Sequence, residues 1–444
     1  MNLGNEISVM ENKQKPIEDL DLFLNIYLKL DSKYNVHKDD SYEYLVNFSQ
    51  TTNKPIHRWF YYKEGYSPEL VTNVLNRLNK IRKNMIIFDP FAGSGTTLLA
   101  AKQLGIQSSG FEINPFSSFM IKAKTRNYNK NDIKPLIEFN MPDYINIPDV
   151  YEKYELKIIQ NLFDKEKLEK IELLKQQIKK IENEKSRNLL FAALFSILED
   201  VSNYRKTGNG LKKKKLIKNK DPFNEFKKKL SEILEDLKDI NNDLPEPYII
   251  NDSCLNMQNY KIDEIGISIF SPPYANCFDP FEVYKMELWV GEFVKSYGEL
   301  KIPRKKALVS NLNADLNKEF QKSYRTDLIT NILDFLSKQD LWDKRIPKML
   351  DTYFYEIYNL LKILYYKTEK DGACVIVIGN SAYGNLAIPT DLIFAQLGEK
   401  AGFKVKEIIV ARKNETSSQQ HSKLGNLIEY LRESIVVLEK CETI

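Results

Sequence analysis

The chain has 444 residues, 43% hydrophobic and 28% charged, a balance that suits a soluble globular protein with room for a sizeable core and two structural units. Its 65 Lys and Arg leave a net charge of only +4, so attraction to nucleic acid has to come from local clusters. Four scattered cysteines with no CxxC pair and only three histidines argue against a zinc site, a disulfide framework and any other metal centre. No apolar run reaches the length of a membrane span, and Met1 to Lys15 carries no signal-peptide core, so the expectation is a reduced, cytoplasmic protein without membrane partners.

Residues 1–55 read as a polar, helical N-terminal extension, with Leu20, Leu22, Leu24, Ile26, Leu28 and Leu30 in one stretch. An aromatic-dense segment, His57 to Leu70, leads into a helix. Then a strand–loop–helix pattern begins: Met85–Phe88 as strand, Asp89–Thr97 as loop, Leu98–Leu104 as helix ending at Gly105, and Gln107–Glu112 as a second strand. This is the opening of a doubly wound α/β sheet. From 127 to 245 the chain turns Lys/Glu-rich and helical, with Leu168, Ile171, Leu174, Ile178 and Ile181 at amphipathic spacing, which suits a helical hairpin packed on itself. The sheet resumes at Tyr248–Asn251 and Gly266–Phe270. Residues 280–365 read as a second helical insertion. Ala373–Gly379 is apolar enough for a central parallel strand buried on both faces, and Val405–Ala411 with Ser434–Glu439 suits an antiparallel closing pair. The catalytic domain is therefore expected to span 56–126 and 246–444, and 127–245 is the candidate target-recognition region.

The loop Asp89-Pro90-Phe91-Ala92-Gly93-Ser94-Gly95-Thr96 can turn tightly and approach a ligand closely. A phosphate-binding P-loop needs a lysine after the second glycine, and Thr96 and Thr97 stand there. A dinucleotide loop wants a third glycine where Leu98 sits. S-adenosylmethionine, which has no phosphates, remains. Glu112 ends the second strand 17 residues after Gly95, where a carboxylate can accept from both ribose hydroxyls. Some 180 residues on, Ser271-Pro272-Pro273-Tyr274 directly follows an apolar strand. A polar residue, two prolines and an aromatic make a stiff corner able to grip a flat, polar ring.

Together Asp89–Thr96 and Ser271–Tyr274 resemble the two signature motifs of the DNA amino-methyltransferases, which modify cytosine N4 or adenine N6. The resemblance implies a class I S-adenosylmethionine-dependent, Rossmann-like sheet with helical insertions. It also implies that Glu112 binds the ribose, that Asp252 in Asn251-Asp252-Ser253 contacts the adenine, and that the His57–Leu70 element closes over the methionine moiety. Ser271 Oγ and the Pro272 carbonyl then accept the two N–H bonds of the target amine, Pro273 stiffens the corner, and Tyr274 stacks on the flipped base. Serine at the first position favours cytosine N4 in this family, and aspartate favours adenine N6.

Between Arg205 and Lys220 lie eight cations and no acid, among them Arg205, Lys206, Lys212, Lys213, Lys214 and Lys215, with Gly208 and Gly210 suggesting a mobile loop that grips double-stranded DNA. A smaller cluster, Arg304-Lys305-Lys306, reads as solvated surface. The polar stretch 411–423 is a candidate lining of a DNA cleft. The expected setting is a restriction–modification system with a cognate restriction endonuclease as partner. Methyl transfer to adenine N6, to an RNA base or to a protein amide, and a relic fold that only binds nucleic acid, are the rival readings. The basic run speaks against a protein substrate, and intact Gly93, Gly95, Glu112 and Ser271 speak against a relic.

Overall fold

The computed structural model describes residues 20–82, 84–208, 210–239, 243–414 and 423–441. They form two compact units, one built from 44–270 and 277–308 and the other from the described parts of 1–43, 271–276 and 309–444.

The first short strand of the chain is β1, Val36–Lys38; β2 is Ile86–Asp89, β3 Gln107–Phe111, β4 Tyr204–Thr207, β5 Gly210–Lys213, β6 Tyr248–Ile250 and β7 Ile265–Phe270. In the unit 44–270 and 277–308, β7, β2, β3 and β6 lie side by side in that order, all parallel. Chain order therefore reverses between β2 and β7, the switch point where open α/β sheets place their ligands, outside the carboxyl ends of the strands. The helix Thr96–Gln103 joins β2 to β3, and Pro115–Thr125 follows β3. The latter starts on an Asn114 cap that accepts from Phe116 N–H at 3.0 Å, with Pro115 at the first helical position, where its missing N–H costs nothing.

The helices Lys165–Lys179, Glu184–Val201 and Pro222–Asp236 bury Leu168, Ile171, Leu174 and Ile178 as their spacing predicts, and Ile181 packs on their edge. Their core is continuous with Trp59, Phe116 and Tyr284. Asp236, on the last of these helices, accepts from Trp59 Nε1 at 2.8 Å and from the Ile56 N–H at 2.8 Å, which fastens the aromatic-dense segment in place.

The second unit holds β1 and five later strands, β8 (Thr368–Gly379), β9 (Ser381–Tyr383) and β10 (Leu386–Ile388), the last two a two-stranded pair, then β11 (Lys404–Lys413) and β12 (Arg432–Glu439). The pair β11–β12 is antiparallel, as its sequence suggests. β8 is buried along Ala373–Gly379, again as expected, while its partner β12 runs antiparallel to it. The N-terminal extension is only partly helical. The helix spanning 20–33 buries Phe23 and Tyr27 and leaves Leu22 and Leu28 more than half exposed, because a helix buries a 3.6-residue stripe and not alternate positions. The chain then forms β1, parallel to β11. Among the described residues no helix is long and apolar enough to cross a membrane.

Candidate active site

The loop after β2 is fixed from three sides. Asp89 Oδ1 accepts from Phe91 N–H at 2.9 Å, and Ala92 N–H donates to the Phe111 carbonyl at 2.9 Å. Gly93 and Gly95 both take positive φ, 53° and 81°, and Gly95 caps the helix Thr96–Gln103. A Cβ on Gly93 would lie 3.2 Å from the Tyr62 ring, so Tyr62 covers the loop closely. Tyr66 serves differently. Its hydroxyl meets Thr97 inside the core, and Thr97 Oγ1 donates to the Ile269 carbonyl at 3.2 Å.

Glu112 stands just past the end of β3. Its Oε2 accepts from Gly93 N–H at 2.7 Å and its Oε1 from Asn114 N–H at 2.7 Å. Burial pushes its pKa up to about 8, against the pull of those two N–H donors, with the Asp89 charge adding to the rise. Asp89 is raised to about 7 by burial, partly offset by the Phe91 N–H and the Thr97 and Tyr66 hydroxyls. Asp252 differs: burial alone would raise it, but hydrogen bonds from Ser253 N–H, Tyr260 and Asn256 hold it below the usual carboxylate range. The Tyr260 hydroxyl donates to it at 2.8 Å, and Lys306 approaches at 3.7 Å.

Lys124 is not among the expected site residues. It is 3% exposed, and its Nζ donates to the Ser94 carbonyl at 3.3 Å, under the loop. Desolvation lowers its pKa to about 7, helped by the charge of Lys229. It lies three residues after Ile121 on an otherwise apolar helix face, and that spacing is its only sequence signal.

These residues suit S-adenosylmethionine better than a phosphate ligand. Two buried carboxylates flank the loop; when ionised they repel phosphate and favour a sulfonium cation, and a ribose diol can hydrogen-bond to them. Pro90 and Thr96 complete the loop, Thr96 Oγ1 lying 3.4 Å from Ser94 Oγ.

The tetrapeptide directly follows Phe270, the last residue of β7, and belongs to the other compact unit. Within that unit the Tyr274 hydroxyl donates to Glu433 Oε1 at 2.6 Å, and Glu433 also accepts from Arg412 at 2.7 Å. A Cβ on Gly379 would lie 2.6 Å from a Tyr274 ring carbon, so only glycine there leaves room for the ring beside the end of β8. Pro272 is buried, while Ser271 and Pro273 are partly exposed.

The expected mobile loop 205–220 is in part a β-hairpin: β4 and β5 pair antiparallel, with Arg205 opposite Lys212 and Lys206 opposite Leu211. Strand alternation sorts the cations. Arg205, Lys212, Lys213 and Lys215 are exposed. Lys206 is 2% exposed and pairs with Glu287. Lys214 turns back to the carbonyls of Glu199 at 2.6 Å and Ser202 at 2.7 Å. Arg304 is likewise spent, on Asp279 at 3.2 Å and Glu282 at 2.8 Å. In the stretch 411–423, residues 415–422 lie outside the described residues. No group of three or more His, Cys, Asp or Glu side chains able to hold a metal occurs among the described residues.

A family model described as DNA methylase matches residues 5–122, which include the glycine loop and Glu112. The chain is 29% identical to the Type II methyltransferase M.AvaI of Nostoc sp. over 442 residues, covering 89% of each chain. It is 29% identical to the Type II methyltransferase M.BsoBI of Geobacillus stearothermophilus, covering 93% of this chain and 92% of that one. To the Type II methyltransferase M.MvaI of Kocuria varians it is 22% identical, over 93% and 96%. With both signature motifs set at strand ends, the family model and these relatives, which match nearly end to end, support the DNA amino-methyltransferase family for this chain, with S-adenosylmethionine as the methyl donor.

Proposed function

We propose that the protein transfers a methyl group to N4 of cytosine in double-stranded DNA, as the modification component of a Type II restriction–modification system. The observation that carries the choice of cytosine is Ser271 at the head of Ser271-Pro272-Pro273-Tyr274. An exocyclic amine is a poor nucleophile because its lone pair is delocalised into the ring. Ser271 Oγ and the Pro272 carbonyl accept its two N–H bonds, favour a tetrahedral nitrogen and stabilise the positive charge developing there. Pro273 keeps the corner stiff, and Tyr274 offers its ring to the extruded base.

The donor supplies a methyl group on a sulfonium. Glu112 holds the ribose diol, Asp252 the adenine amine, and Asp89 with the loop Pro90–Thr96 the remainder. Direct displacement needs nitrogen, methyl carbon and sulfur in line, with nitrogen and carbon about 3 Å apart, and no covalent enzyme intermediate. Arg205, Lys212, Lys213 and Lys215 take the phosphates, and their exposure and lack of acidic partners among the described residues support this. A restriction endonuclease reading the same site is the expected counterpart of the mark.

Labelled S-adenosylmethionine and mixed-sequence duplex, followed by nucleoside mass spectrometry, tests the reading. N4-methylcytosine is expected. N6-methyladenine would overturn the choice of base, and label confined to RNA would overturn the choice of substrate.

A further inference from the structure

Lys206 is a costly residue to bury. Its ammonium, on a two-stranded hairpin, is held by Glu287, with Glu199 at 3.7 Å. Glu287 is fully buried, and its Oε2 has no hydrogen-bond partner among the described residues. Two charges taken from water in this way add little stability, and an apolar pair of similar shape would often do better. What the pair does instead is place a cation against aromatic rings. Lys206 Nζ lies 4.8 Å from the Phe60 ring centroid and 5.1 Å from that of Tyr284.

Tyr284 leads on to the glycine loop. Its ring is parallel to that of Tyr62, 4.9 Å between centroids and 4° between planes, and its hydroxyl donates to Glu64 at 2.6 Å. Tyr62 is the ring over Gly93. A second link is direct, because Lys63, the neighbour of Tyr62, donates to the carbonyl of Lys206. On the same strand Arg205 points the other way, exposed and directly opposite Lys212, and two like charges so paired disfavour the bare hairpin. A polyanion at that face relieves the repulsion.

We propose that Lys206 is a positioning residue. Through Tyr284 it sets Tyr62 over the methyl donor, and through β4 it links that setting to duplex DNA held at Arg205 and Lys212. The inference rests on the reading above of the glycine loop as donor site and the hairpin as DNA contact.

The double variant K206M/E287Q removes both charges and keeps both shapes. The test measures S-adenosylmethionine affinity by calorimetry, with and without duplex DNA. In the wild type, duplex should tighten donor binding by about 10-fold, within the usual range for coupled sites, and the double variant should tighten it less than about 2-fold. Duplex affinity of the variant without donor should stay within about 2-fold of wild type, because its exposed cations are untouched. Tyr284→Phe, which frees Glu64 but keeps the ring, should also weaken the tightening, and it carries the test if the double variant fails to fold. Full wild-type tightening in the folded variants, or donor binding in the wild type that duplex leaves unchanged, overturns the role of Lys206 and leaves the proposed reaction standing. No donor binding by the wild type, or unchanged duplex affinity in R205A/K212A, overturns the underlying reading and this inference with it.

Discussion

Gly93 donates its backbone N–H to Glu112 Oε2 at 2.7 Å, so the glycine loop and the end of β3 are held together by the carboxylate expected to bind the ribose. Glu112→Gln would set an amide N–H₂ among N–H donors. Hydrogen bonds to charged groups contribute about 1.5–3 kcal/mol, so donor affinity should fall roughly 10- to 100-fold by calorimetry. An unchanged affinity would remove Glu112 from the donor site.

Asp89 and Glu112 also predict a pH dependence. Their folded pKa values, about 7 and about 8, lie above the ordinary 3.8 and 4.5. The folded protein therefore keeps protons that the unfolded chain has released. Their contribution to stability is full below the ordinary values and is lost as pH rises through about 7 to 8. A cationic donor favours the ionised forms, so its affinity should rise over that same window, with proton release seen when calorimetry is repeated in buffers of different ionisation enthalpy. A flat affinity profile would contradict this.

Gly110 leaves no room for a side chain, since a Cβ there would sit 2.4 Å from the Asp89 carbonyl oxygen. That neighbour is backbone and cannot rotate away. Gly110→Ala should cost about 1–3 kcal/mol in urea unfolding, the usual range for overpacking. A neutral result would mean that β2 and β3 can separate locally at no cost.

Tyr274 is tied to Glu433, which Arg412 also engages. Tyr274→Phe should lower kcat by about 10-fold or more, given the strength of a bond to a carboxylate, with KM for the donor little changed. Gly379→Ala, which pushes on the same ring, should lower kcat in the same way. A change in donor KM alone would place Tyr274 outside the target site.

The exposed cations should differ from the inward ones. Arg205→Ala and Lys212→Ala should each reduce the slope of log affinity against log salt by about 1. Lys214→Ala should leave the slope alone and lower the melting temperature, because Lys214 fastens the hairpin to carbonyls at the end of the helix Glu184–Val201.

The residues that made the fold legible are those whose backbone demands are local. Gly93 and Gly95 need positive φ, the apolar runs need burial, and Leu168 to Ile178 show their helix period. The inward turn of Lys206 was not legible, because a basic run has the same composition whether a cation faces water or a buried glutamate 81 residues away. Lys124 was missed for a related reason: a single lysine among apolar residues looks like a surface position until its helix is packed. The corner at Ser271 was legible because proline stiffness and a strand end are both written locally. The Glu433 tether on Tyr274, 159 residues on, was not.

The path of the chain between the two units bears on how this protein can be re-engineered. Residues 271–276 belong with 309–444, while 277–308 return to the unit that holds the glycine loop. Neither unit is therefore one contiguous stretch. Exchange of specificity modules with a relative, or a split enzyme made by a single cut, would strand the tetrapeptide or the donor loop on the wrong fragment. A working chimera needs junctions on both sides of Ser271–Asn276.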